Sequence, residues 1–178
     1  MHMKTAGRLL PCIFLLAATA AWAQKVDVDF NSNVDFSKFK TYAWLESKHP
    51  AKGLWPQRII DGIDKQLQAK GLKKVEMSDH PDLEVVYNSG VKERTTVEGY
   101  DYGYGYGPWW GWGGPRGTTY QTYVDKEATL AVDLVNTAEK EMVWRGVAQD
   151  TLSDSSDKNQ KKLDKALDKM FKKYPPKK

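Results

Sequence analysis

Thr129-Leu130-Ala131-Val132-Asp133-Leu134-Val135 is followed by the polar run Asn136 to Lys140 and then by Met142-Val143-Trp144-Arg145-Gly146-Val147. Leu130, Val132 and Leu134 share one side of an extended chain, while Thr129, Ala131 and Asp133 share the other, the period-two pattern of a strand with one buried face. The polar run is a turn, so the second apolar stretch returns as the antiparallel partner of a hairpin. A sheet with one apolar face needs a second layer to cover it. The C-terminal stretch supplies one: Leu163, Ala166, Leu167, Met170, Phe171 and Tyr174 recur at helical spacing. Ser155 or Ser156 is placed to cap that helix, and Pro175-Pro176 to end it. Its lysine-rich opposite face suits either a membrane surface or plain solvation, and the regular stripe favours a surface helix docked on the sheet.

Working outward, Val26, Val28 and Phe30 alternate with Asp27 and Asp29 as a half-buried strand, and Thr41 to Leu45 is a second strand of β-branched and aromatic residues. Pro56 opens a helix that runs to about Lys70, with Gly71 as its stop and Ile59, Ile60, Ile63 and Leu67 as its buried face. Gly62 inside that helix costs about 1 kcal/mol against alanine, which points to close packing. Leu83, Val85 and Tyr87 form a strand after Pro81-Asp82, and residues 91–98 read as another with an exposed face. Two helices and about six strands, segregated rather than alternating, predict an α+β fold: a mostly antiparallel sheet with two amphipathic helices packed on one face.

The chain has 178 residues, 40% of them hydrophobic and 28% charged, enough for one domain that buries about two-thirds of its unfolded surface without a disulfide or metal. Residues 1–23 read as a signal peptide: Lys4 and Arg8 are its basic start, Ile13 to Leu16 its apolar run, and Ala21-Trp22-Ala23 predicts cleavage between Ala23 and Gln24. Cys12 is the single cysteine. Leu9-Leu10-Pro11 precedes it in place of the small residue a lipid-attachment signal needs, so it is expected to leave with the peptide. These features predict export to the periplasm or outer envelope, with residues 24–178 as one domain. Net charge is +4, but residues 158–178 hold nine lysines against two aspartates while residues 24–157 hold 16 basic and 21 acidic groups. A basic tail on an acidic, exported body does not predict nucleic-acid binding.

Asp35-Phe36-Ser37-Lys38-Phe39-Lys40-Thr41-Tyr42-Ala43-Trp44 resembles the N-terminal signature of a bacterial family called "domain of unknown function 4136". The hairpin with its Val143-Trp144-Arg145-Gly146 run and the closing amphipathic helix match the rest of that family's pattern. The resemblance implies a small exported envelope protein with an α+β fold and no assigned activity, and it offers no catalytic residues to carry over. Many members are lipoproteins, a pattern from which Cys12 departs. Phe36, Tyr42, Trp44 and Trp144 read physically as packing aromatics.

The pattern of a catalytic or metal site is hard to find. His49 and His80 each precede a proline, without a nearby His or Cys at ligand spacing, so neither a metal nor a cofactor is predicted. A Gly-x-Ser-x-Gly elbow is missing, which leaves a carboxylate pair in a cleft as the form an alternative, a small envelope hydrolase or glycan-processing enzyme, would take. Residues 100–114 stand out instead, with six Gly, four Tyr and three Trp in fifteen positions. Glycine spacing there does not match a phosphate-binding loop. Tyr100, Tyr102, Tyr104, Tyr106, Trp109, Trp110 and Trp112, within a Gly-rich loop at 99–117, are therefore the candidate interaction residues, toward an envelope protein, a glycan or a membrane surface. The competing expectation is that this loop folds back and covers the sheet.

Overall fold

Alternation and helical spacing produce the elements they predict. In a computed structural model, which describes residues 24–101 and 118–176, the strands are β1 (Lys25–Phe30), β2 (Thr41–Trp44), β3 (Lys73–Lys74), β4 (Leu83–Asp101), β5 (Thr118–Asn136) and β6 (Glu141–Thr151). The helices are α1 (Trp55–Ala69), between β2 and β3, and α2 (Ser156–Phe171), after β6. Pro56 sits in the first turn of α1, and Gly71 just past its end adopts a left-handed φ of 89°. The hydroxyl of Ser155 accepts from the Lys158 N–H and caps α2.

The six strands form one sheet in the order β1-β6-β5-β4-β2-β3. Its β1–β6–β5–β4 part is antiparallel, but β2 pairs parallel with both β4 and β3. The sheet is thus mixed, which corrects the expectation of a mostly antiparallel one. The cause is the crossover: α1 carries the chain back to the end where β2 began, so the strand that follows runs parallel to it. The two-residue β3 is too short to show a period.

β4 and β5 are the second departure. Residues 83–87 and 91–98 are not two strands but parts of a single 19-residue strand, paired along its length with a 19-residue β5 from Leu83↔Asn136 to Asp101↔Thr118. Gly99, Tyr100 and Asp101 belong to the strand, although the Gly-rich composition reads as loop from residue 99.

Val85, Tyr87, Val132, Leu134 and Trp144 are buried on the strands and join Ile63 and Leu67 of α1 and Leu167, Met170 and Phe171 of α2 in one core. Each such side chain removed from water contributes about 1.5–3 kcal/mol. Gly62 is a point of close approach between the helices, since a Cβ there would meet Leu167 Cδ1 at 2.6 Å. The helix interior gives up propensity for that contact.

Asp82 ties the start of β4 to β2. Its Oδ2 accepts from the backbone N–H groups of Lys40 (2.7 Å) and Thr41 (2.9 Å) and from the Thr41 hydroxyl (3.0 Å). Burial works to raise its carboxyl pKa, but these donors and the nearby Lys40 charge outweigh it and hold the pKa below the ordinary value. A depressed carboxyl stabilises the fold above its unfolded pKa of about 3.9, and that stabilisation is lost as pH falls through the folded pKa. The melting temperature of the parent should therefore fall more steeply below about pH 4 than that of Asp82→Asn, which has no such proton to take up. Parallel curves would show that these hydrogen bonds do not set the pH dependence.

Candidate functional site

The sheet does not extend evenly along the hairpin. β6 accompanies β5 only as far as the pair Glu127↔Thr151, and β2 touches β4 only over Leu83–Val85. From Glu93 to Asp101, and from Thr118 to Lys126, the two strands pair with each other and continue as a ribbon. Nine residues at about 3.4 Å each make it roughly 30–35 Å long. Lys92↔Glu127, Glu93↔Lys126 and Arg94↔Asp125 are directly opposite with opposite charge, a pattern that favours this register over a slipped one. Tyr120 and Val124 on the ribbon are 69% and 57% exposed, and Val91 at its base is 60% exposed. Apolar side chains on a projecting two-stranded ribbon contribute little to the core, and such a ribbon is marginal by itself in water.

Of the candidate interaction residues, Tyr100 is placed by its backbone in β4, opposite Thr119. Tyr102, Tyr104, Tyr106, Trp109, Trp110 and Trp112 lie outside the described residues, as do the signal segment and Ala23. Gln24 is described: its Nε2 donates to Asp150 Oδ2 (3.2 Å) and to the Lys162 carbonyl (2.8 Å). His49 and His80 are exposed, and among the described residues no cluster of three or more His, Cys, Asp or Glu is arranged for a metal ion. The ribbon itself escaped the sequence reading. Its visible signals are the exposed-faced strand at 91–98 and the β pattern that resumes after residue 117; neither tells how far the two strands pair beyond the sheet.

Cavities of about 420 and 410 Å³ flank the base of the ribbon, and Ser89, Gly90 and Val91 line both. Among the described residues, Asp150 is the one carboxylate lining the first and Glu127 the one lining the second. A carboxylate-pair hydrolase would want two in one cleft, about 5–9 Å apart. Buried Glu84 and Asp133 lie elsewhere, each held by its own cation: Lys140 Nζ at 2.6 Å and the Arg145 guanidinium at 2.6 and 2.8 Å.

The Val143-Trp144-Arg145-Gly146 run has a physical reading in this sheet. Trp144 points into the core, opposite Leu134, while Arg145 points the other way and grips Asp133 with both arms of its fork. Gly146 returns to the core side, where a Cβ would meet the Trp144 ring at 2.7 Å and Met170 Sδ at 3.0 Å. The glycine makes room for the indole. Gly146→Ala should therefore destabilise by about 1–3 kcal/mol through overpacking, measured by denaturant melting. An unchanged midpoint would mean that the ring moves aside freely. Upstream, the Asp35 carboxylate accepts from the Ser37 N–H, and Phe36 packs edge-on against Phe39 and Tyr174.

Comparison with known proteins follows the same lines. A DUF4136 family protein from Bacteroides thetaiotaomicron VPI-5482 is structurally similar at TM-score 0.55 and 17% identity, with 85% of this chain and 96% of that one covered. A PDZ domain protein from Parabacteroides distasonis ATCC 8503 is similar at TM-score 0.55 and 16% identity; 86% of this chain is covered, and it spans only 36% of that protein. At these identities the likeness is one of fold. No curated protein matches the sequence. The family model described as "Domain of unknown function (DUF4136)" matches residues 26–176, and this chain belongs to that family.

Proposed function

We propose that this protein is an exported envelope module that works by contact, through the far end of the β4–β5 ribbon, rather than by turning over a substrate. The observation that carries this reading is the ribbon: the paired strands run nine residues past the last β5–β6 pair, with Tyr120 and Val124 facing solvent, and lead into the Gly/Tyr/Trp stretch. A two-residue turn would suffice to join the strands, and an uncovered strand edge is an aggregation liability. Tyr100 to Trp112 supply amphipathic rings for an envelope protein, a glycan or a lipid headgroup zone.

Export is supported by the position of the expected cut. β1 begins at Lys25, just past Ala23-Gln24, so cleavage would leave every described strand intact. Both helices are also inferred to cover the same face of the sheet, since their buried side chains meet one set of strand residues.

Joining Arg94 to Asp125 through Asn-Gly, in place of residues 95–124, tests the ribbon. Stability should change by less than about 1 kcal/mol, because closure depends weakly on loop length and the ribbon lies outside the core. Association with envelope fractions should be lost. A large drop in melting temperature with unchanged association would overturn the reading. Intact mass of exported protein should begin at Gln24; a mass retaining a lipidated Cys12 would overturn the cleavage assignment.

A further inference from the structure

The cavity of about 420 Å³ is bounded by α1, α2 and the strands where the ribbon begins. Its size lies within the range of pockets that hold small molecules, about 300–1,000 Å³. Trp55 and Ile59 come from α1, Leu163 from α2, Leu130 and Ala128 from β5, so most of the wall is hydrocarbon. Asp150 and Lys162 also line it, paired at 3.0 Å. Neither charge is free. Asp150 accepts from Lys162 through Oδ1 and from Gln24 through Oδ2, while the Lys162 ammonium also donates to the Thr151 carbonyl. The Gln24 amide cannot flip without setting its oxygen against two acceptors, so it holds Asp150 in place.

We propose that this cavity binds an uncharged amphiphile: a hydrocarbon chain lies along Trp55, Ile59, Leu130 and Leu163, and a hydroxyl head meets the Asp150–Lys162 pair. A pair that is already neutralised gives no net attraction to a charged head. At the pair an anion would face Asp150 and a cation would face Lys162, each giving up its hydration. Lys52, the other charge in the wall, is exposed to solvent, where an ion pair with a head group contributes no more than about 1 kcal/mol. A hydroxyl both donates and accepts, so it can meet carboxylate and ammonium together. The site is independent of the ribbon's outer end.

N-phenyl-1-naphthylamine, an uncharged fluorophore that brightens in apolar surroundings, provides the readout on the purified protein. It should bind saturably and be displaced by 1-decanol, whereas decanoate and decylammonium at pH 8 should require at least about tenfold higher concentration. Ala128→Phe, or Ala51→Phe from the loop before α1, should abolish probe binding while the melting transition remains. The shortened hairpin should bind the probe like the parent, since its cavity wall is kept. Absence of saturable brightening, equal displacement by decanoate, or undiminished binding in a folded cavity-filling variant would each overturn the proposal. Loss of binding only in the shortened hairpin would also overturn it, placing the probe on the aromatic segment. The head-group comparison uses the parent chain, so it decides even where both filling variants fail to fold.

Discussion

Replacing Trp144 by alanine is expected to destabilise the protein by about 3–5 kcal/mol. The ring is 1% exposed, packs with its centroid 5.2 Å from that of Phe171 and 5.8 Å from that of Tyr174, and lies over Gly146. Removing it opens a cavity between β6 and the end of α2, with rigid aromatic walls that cannot collapse onto the space. Its Nε1 is buried without a hydrogen-bond partner. Trp144→Phe should therefore cost clearly less than alanine, because it keeps an aromatic ring in the packing and removes an unpaired buried donor. Denaturant melting reads both variants. An alanine variant within about 0.5 kcal/mol of the parent would show that the ring is not part of the core.

Asp64→Ala should cost about 2–6 kcal/mol, from two donors that would each lose their acceptor at about 1–3 kcal/mol. Oδ1 of Asp64, on α1, accepts from the Tyr42 hydroxyl and from Trp44 Nε1, both at 2.8 Å, and Oδ2 accepts from Lys74 Nζ at 2.9 Å. One carboxylate thus ties α1 to β2 and to β3. Tyr42 is fully buried, and that burial, followed by the bond to Asp64 and its charge, holds its hydroxyl above the ordinary pKa. Lys74 is the more exposed partner, so Lys74→Ala should change stability by no more than about 1 kcal/mol. Asp64→Asn should recover much of the loss, since an amide oxygen still accepts. If the two alanine variants melt alike, the buried donors have found other acceptors and the network is not what fixes α1.

The strands and helices that could be read from the chain are those whose evidence is local. The β5–β6 hairpin is legible because Leu130, Val132 and Leu134 and their turn lie within a few residues of their partners. Likewise, α2 is legible from a stripe that repeats every turn, and α1 from Ile59, Ile63 and Leu67 between Pro56 and Gly71. Close packing at Gly62 could be inferred, because a close approach offsets a glycine in a helix, but that the neighbour is α2 could not. What stayed hidden depends on residues far apart in the chain. The parallel pairing of β2 with β4 joins Tyr42 to Leu83 across an intervening helix, and no periodicity records which strand lies beside which. The outer ribbon alternates weakly and is solvated, so the hydrophobic pattern that marks a half-buried strand is absent just where β4 and β5 leave the sheet.

The candidate site divides in the same way. Composition alone picked out residues 100–114, because six glycines and seven aromatic rings exceed what a connection needs. That those residues follow a ribbon of roughly 30–35 Å, and that a cavity opens at its base, is a property of the assembled sheet. By itself the sequence determined the family, the amphipathic helices and the core hairpin, since each is set by side-chain spacing along one segment. Only the tertiary structure decided the mixed sheet, the linkage of Asp64 to two strands and the apolar cavity with its neutralised charge pair, because each requires contacts between segments whose separation in sequence carries no trace of their distance in space.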